Sequence, residues 1–204
     1  MSRQPSSSSS SSSILDRPIA KQRTDQVSLS AFSYLYSELV QYHQSRVSSI
    51  SELEDKLVGS GYGVGFKVLE LLAYRSRELK RETRIMSILQ FVSSTVWKTL
   101  FGRPADSLER SIDHADEYMI FDYNPITSNF VSVHQSSADA YVSGIIAGVL
   151  EGAGFTARVT AHTVDVEEGE TRSGFVGLPN RKDKAVFLVK FAPNVLERDA
   201  ALER

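Results

Sequence analysis

The chain has 204 residues, 41% of them hydrophobic, and a formal net charge of −2. That suits one domain with a real core, and it gives no general attraction to nucleic acid. There is no cysteine, which excludes structural disulfides, Cys-ligated zinc, iron–sulfur clusters, thiol catalysis and S-acylation.

The first stretch, MSRQPSSSSSSSS at 1–13, ends in the serine run Ser6–Ser13. It has no apolar core, so it reads as a disordered tail and not as a secretory signal. A globular domain is expected over 14–204. Residues 14–28 read as an extended arm with apolar anchors at Ile14, Leu15 and Ile19.

Four helical segments are predicted next. Over 29–49, Leu29, Phe32, Leu35, Tyr36, Leu39, Tyr42 and Val47 recur at helical spacing, with Ser28 or Ser30 as N-cap. Residues 51–58 open with Ser51 and Glu54, a capping-box pattern. Residues 64–79 put Val64, Val68, Leu71 and Leu72 on one face. Residues 83–101 do the same for Ile85, Ile88, Leu89, Val92, Val96 and Leu100, and Gly102 and Pro104 end that helix.

The second half changes period. EYMIFDYN at 117–124 and SNFVSVH at 128–134 predict a hairpin about the Asn124-Pro125 turn. A helix is predicted over 138–152, with Ser136 and Asp139 near its start. Strands follow at 155–164, where apolar and polar residues alternate, and at 185–191. The charged segment 165–184 between them predicts an exposed loop, and Pro193 starts a terminal helix over 194–203. The order is α-α-α-α-β-β-α-β-β-α, an α+β domain with an antiparallel sheet. The most apolar patch, YVSGIIAGVL at 141–150, is too short to span a bilayer, so a soluble cytosolic chain is expected.

The most suggestive chemistry is GSGYGVGFKVLELL at 59–72. A dinucleotide loop needs G-x-G-x-x-G after a strand, but the third position falls on Phe66 or Val64. A Walker loop fails at Phe66 as well. The glycines therefore predict a helix stop followed by close packing. His43, His114, His134 and His162 show no metal-ligand spacing, and no G-x-S-x-G elbow occurs. Glu167, Glu168 and Glu170, opposite Arg181, Lys182 and Lys184, read as a solvated hairpin. The basic run RSRELKRETR at 75–84 fits an acidic partner or a polar helix junction about equally well. No catalytic, cofactor or metal site is assigned.

What remains is apolar width. Phe32, Tyr34, Leu35, Tyr36, Leu39, Val40 and Tyr42 occupy more than one face of the first helix. A globular helix usually has a single apolar stripe, so a partner is expected to cover the rest. Phe32, Leu35, Tyr36, Leu39 and Tyr42 are the candidate interface residues.

Several stretches together resemble one family. ILDRP, SELVQY at 37–42, GYGVGFKVLELL, VWKTLFG at 96–102, GFTARVTAH at 154–162 and VLERDAALE at 195–203 are similar to the small subunits of the TRAPP vesicle-tethering complex, of the Bet-three-like fold. The resemblance covers Ile14 to Arg204 except the loop at 165–184, an expected insertion. It implies an α/β plait, with helices packed on one face of a four-stranded antiparallel sheet. It implies a non-catalytic scaffold, paired through its helices with a Bet-three-type subunit on one side and a sedlin-type subunit on the other. The assembled complex would act in endoplasmic reticulum to Golgi transport and exchange guanine nucleotide on a Rab GTPase. The chain would then be cytoplasmic and peripheral at the cis-Golgi and endoplasmic reticulum. The Bet-three subunit carries a buried acyl chain on a cysteine; here no thioester can form. A stand-alone module binding a hydrophobic ligand is the alternative, and a nucleotide-using enzyme through Gly59–Gly65 is a third.

Overall fold

Four strands make one antiparallel sheet in the order β1-β2-β4-β3: β1 Ser107–Arg110, β2 Glu117–Asp122, β3 Ala157–Asp165 and β4 Asp183–Phe191. The computed structural model describes residues 27–76, 81–114, 116–127, 135–166 and 183–202. The expected tail, the arm up to residue 26, the strand at 128–134 and most of the loop at 165–184 lie outside the described residues.

One face of the sheet carries the core. Ile120 stands opposite Phe187, and Phe187 opposite Ala161. Tyr118 stands opposite Val189, and Val189 opposite Val159. Helix α5, Gln135–Gly152, lies on that face and buries Val142, Ile145, Ile146, Val149 and Leu150. β2 and β3 run the same way with β4 between them, so β2-α5-β3 is a split βαβ unit. Helices on one face of a four-stranded antiparallel sheet are what the sequence predicts.

The sheet contains a strand that the sequence reading does not predict, β1. β2 is a central strand, with β1 along one edge over 118–121 and β4 along the other over 117–122. SLER at 107–110 is short and charged, which hides it from a periodicity search.

The helical half also differs. α1 spans Leu29–Gln44, with the Ser28 hydroxyl accepting from the Ala31 N–H at 3.2 Å. The predicted helices 51–58 and 64–79 are one unbroken helix, α2, Ile50–Arg75. Its cap is Ser49, two residues before the expected Ser51, and Glu52 accepts from the Ser48 N–H at 3.0 Å. This N–H and the Ser48 hydroxyl, which donates to the same oxygen at 3.2 Å, hold the Glu52 carboxyl below its usual value of 4.5. The glycines therefore do not stop a helix. Gly61 and Gly65 lie where α2 crosses α5, facing Gly144 and Gly148. A Cβ at Gly61 would fall on the Tyr141 carbonyl oxygen, and one at Gly148 on that of Tyr62. Backbone touches backbone, which only glycine permits here.

The predicted 83–101 helix is a continuous run of α3, Ile85–Gln90, a π-helical stretch, Phe91–Val96, and α4, Trp97–Phe101. Ile85, Ile88, Leu89, Val92, Val96 and Trp97 all face the core. Gly102 ends the run at φ 76°, a left-handed cap. The last helix, α6, Pro193–Ala201, lends Asp199 to the start of α3, where it accepts from the Ile85 N–H at 3.1 Å.

Below Trp97 sits a buried polar knot. The indole N–H donates to Asp122 at 3.0 Å, and the Arg103 guanidinium bridges Asp122 and Asp106. Burial pushes the Asp122 carboxyl up; Arg103, the Asn124 N–H and Trp97 oppose that without cancelling it.

Candidate interaction surface

α1 is held to the domain by a second, smaller core. Tyr36 and Val40 pack with Leu53 and Leu57 of α2 and with Ala138 and Ala140 of α5. The Tyr36 hydroxyl donates to the Ala138 carbonyl at 2.5 Å. Its ring stacks on Phe32 at 5.7 Å and tilts against Tyr141 at 5.5 Å. Burial, helped by the nearby Asp139 and Tyr141, pushes this phenol well above its usual range. Tyr36 is thus a neutral donor at any ordinary pH.

The five candidate residues divide accordingly. Tyr36, 3% exposed, lies inside the chain. Phe32 and Leu39 are half-buried at the margin of the small core. Leu35, 73% exposed, and Tyr42, 50% exposed, face water, as does Tyr34. The Arg46 guanidinium sits 3.6 Å above the Tyr42 ring centroid, so that ring is partly covered from one side.

Most of the exposed large apolar side chains among the described residues lie on or beside α1 and α2. Tyr62, Phe66 and Tyr74 belong to this set, and sequence reasoning missed them. The signal was present: Tyr62 and Phe66 are four residues apart, and their rings meet at 5.1 Å. The expected helix break over 59–63 concealed it.

A cavity of about 1070 Å³ opens between α2, residues 81–82, the α3–π run and the end of α5. Leu69, Leu72, Ile88 and Phe91 give it apolar walls; Glu70, Arg75, Arg81 and Glu151 add charge.

The other candidates are committed to structure or lie outside the described residues. The glycines of 59–65 lie inside α2, where helix hydrogen bonding occupies their N–H groups. His43 bonds Ser60 at 3.1 Å, and His162 bonds Thr160 at 2.9 Å. His114 clusters with Asp116 and Glu117, but Lys190 Nζ already stands 2.8 Å from Glu117 and 3.5 Å from Asp116. His134 and residues 77–80 of the basic run lie outside the described residues. Arg84 of that run pairs with Asp199 at 2.9 Å. No helix among the described residues is long and apolar enough to cross a membrane.

Residues 32–192 match the family model described as transport protein particle (TRAPP) component. The chain belongs to the TRAPP component family. It is 47% identical to the trafficking protein particle complex subunit 5 of Dictyostelium discoideum, over 92% of this chain and 96% of that one. It is 39% identical to the human protein of the same name, over 94% of each. The yeast trafficking protein particle complex subunit 31 is 24% identical over 87% of this chain and 80% of its own. In three dimensions it resembles the crystal structure of a trafficking protein particle complex subunit 3 from Naegleria fowleri covalently bound to palmitic acid. The TM-score is 0.61 at 17% identity, over 80% of this chain and 95% of that one. That likeness shows the TRAPP fold. The chain is a component of a trafficking particle, and its apolar helical surface is to be read in that setting.

Proposed function

We propose that this TRAPP subunit is a non-catalytic scaffold that pairs through the α1 face. Leu35 and Tyr42 would sit inside the contact, Phe32 and Leu39 at its inner edge, and Tyr36 would brace them from below. The observation that carries this is the exposure of Leu35 and Tyr42 on a helix whose opposite side is already buried. Water-exposed leucine and tyrosine beside a packed core mark a protein contact more than a site of chemistry. A Bet-three-type subunit is the proposed partner here, and a sedlin-type subunit is proposed at a second surface. Within the assembled complex the chain would serve endoplasmic reticulum to Golgi transport and nucleotide exchange on a Rab GTPase. It would sit peripherally at the cis-Golgi and endoplasmic reticulum.

Co-expression with a Bet-three-type subunit, followed by light scattering on a sizing column, tests the pairing. A one-to-one complex is expected, with an interface on the order of 1,200–2,000 Å². It should be lost when Leu35→Asp and Leu39→Asp are combined, with helical circular dichroism retained. A well-folded monomer that ignores that partner would overturn the proposal. For the exchange role, a complex reconstituted without this chain should release GDP from its Rab more slowly than the complete one.

The cavity favours a second reading, a module that binds a hydrophobic ligand. Its volume suits one, and the Naegleria relative holds palmitic acid covalently. Without a cysteine the ligand here would be held non-covalently. Lipid extraction and mass spectrometry of the purified chain test this: a stoichiometric amphiphile supports it, and an empty protein refutes it.

A further inference from the structure

No further inference is drawn: the strongest candidate, the outward stripe of α2 where Gly59 and Gly63 stand beside Tyr62 and Tyr74, is a small-residue and aromatic surface for which nothing in the structure shows what covers it.

Discussion

The glycines of α2 give a prediction whose sign reverses within one helix. Gly65 and Gly63 are two residues apart, and only one faces α5. A Cβ at Gly65 would collide with the Ile145 carbonyl oxygen and stand 2.9 Å from the Val149 nitrogen and 3.0 Å from the Gly148 Cα. Ordinary contact begins at 3.4 Å, and all three obstacles are backbone. No rotamer change relieves them, so the helices must part. Overpacking of that kind costs about 1–3 kcal/mol. Alanine returns about 1 kcal/mol of helix propensity, so Gly65→Ala should give a net loss of up to about 2 kcal/mol, with Gly61→Ala similar. Gly59 and Gly63 have nothing within 4 Å of a built Cβ. Gly59→Ala and Gly63→Ala should each gain about 0.5–1 kcal/mol. Urea unfolding of the full chain, followed by fluorescence of the sole tryptophan, buried Trp97, reads both signs. In a chain of this size, thermal midpoints should move by about 2–4 °C per kcal/mol. If Gly65→Ala stabilises as Gly63→Ala does, the helices do not cross at these glycines.

Three further outcomes are expected. Arg103→Ala strands two buried carboxylates and should cost about 3–5 kcal/mol in urea unfolding, with part recovered when Asp122→Asn is added; an effect below about 1 kcal/mol would show that the knot does not hold the chain. Glu52 titrates below its usual value, so its contribution is complete above pH 4.5 and lost as pH falls through the lower folded-state value. Glu52→Gln should therefore lower the thermal midpoint at pH 7 and match the parent protein in strong acid, whereas a pH-independent difference would rule out the charged cap. Calorimetric titration with GTP or ATP should give no binding heat, because the glycine segment is helix interior; a micromolar affinity would revive a nucleotide site.

The sequence made the apolar periods legible, and with them the sheet strands at β2, β3 and β4, helix α5 and the inward face of the α3–π–α4 run. It misled where a local rule met a tertiary exception. Glycine disfavours helix by about 1 kcal/mol, so four glycines in seven residues predict a break. The α2–α5 crossing outweighs that penalty. The four-residue spacing of Gly61 and Gly65, repeated at Gly144 and Gly148, was a readable signal of close helix approach that the search for phosphate loops passed over. β1 was illegible for a different reason: four residues, two of them charged, show no alternation. The Asp199 cap on α3 joins residues 114 apart in sequence, beyond any local pattern. On α1 the spacing showed which residues are apolar but not which side of the helix each one takes. It grouped Tyr36 with Leu35, and only the packing against Leu53 and Ala138 separates them.

That separation bears on the scaffold role proposed above. α5 lies between the sheet and α2 and is buried along most of its length, so α1 and α2 form an outer layer. An outer helix needs one apolar face to bury, and these two carry more. Several charged groups are meanwhile committed to structure. Arg103 joins Asp106 and Asp122, Arg84 holds Asp199, and Lys190 holds Asp116 and Glu117. Catalysis usually needs titratable groups that converge on a cleft. The charged groups just named converge on each other, in ion pairs that fasten helix to helix, helix to sheet or strand to strand. The surplus lies in apolar area on α1 and α2, and desolvation of such area drives association without chemistry. Exposed leucine and tyrosine over a framework held by buried ion pairs support the proposed scaffold role.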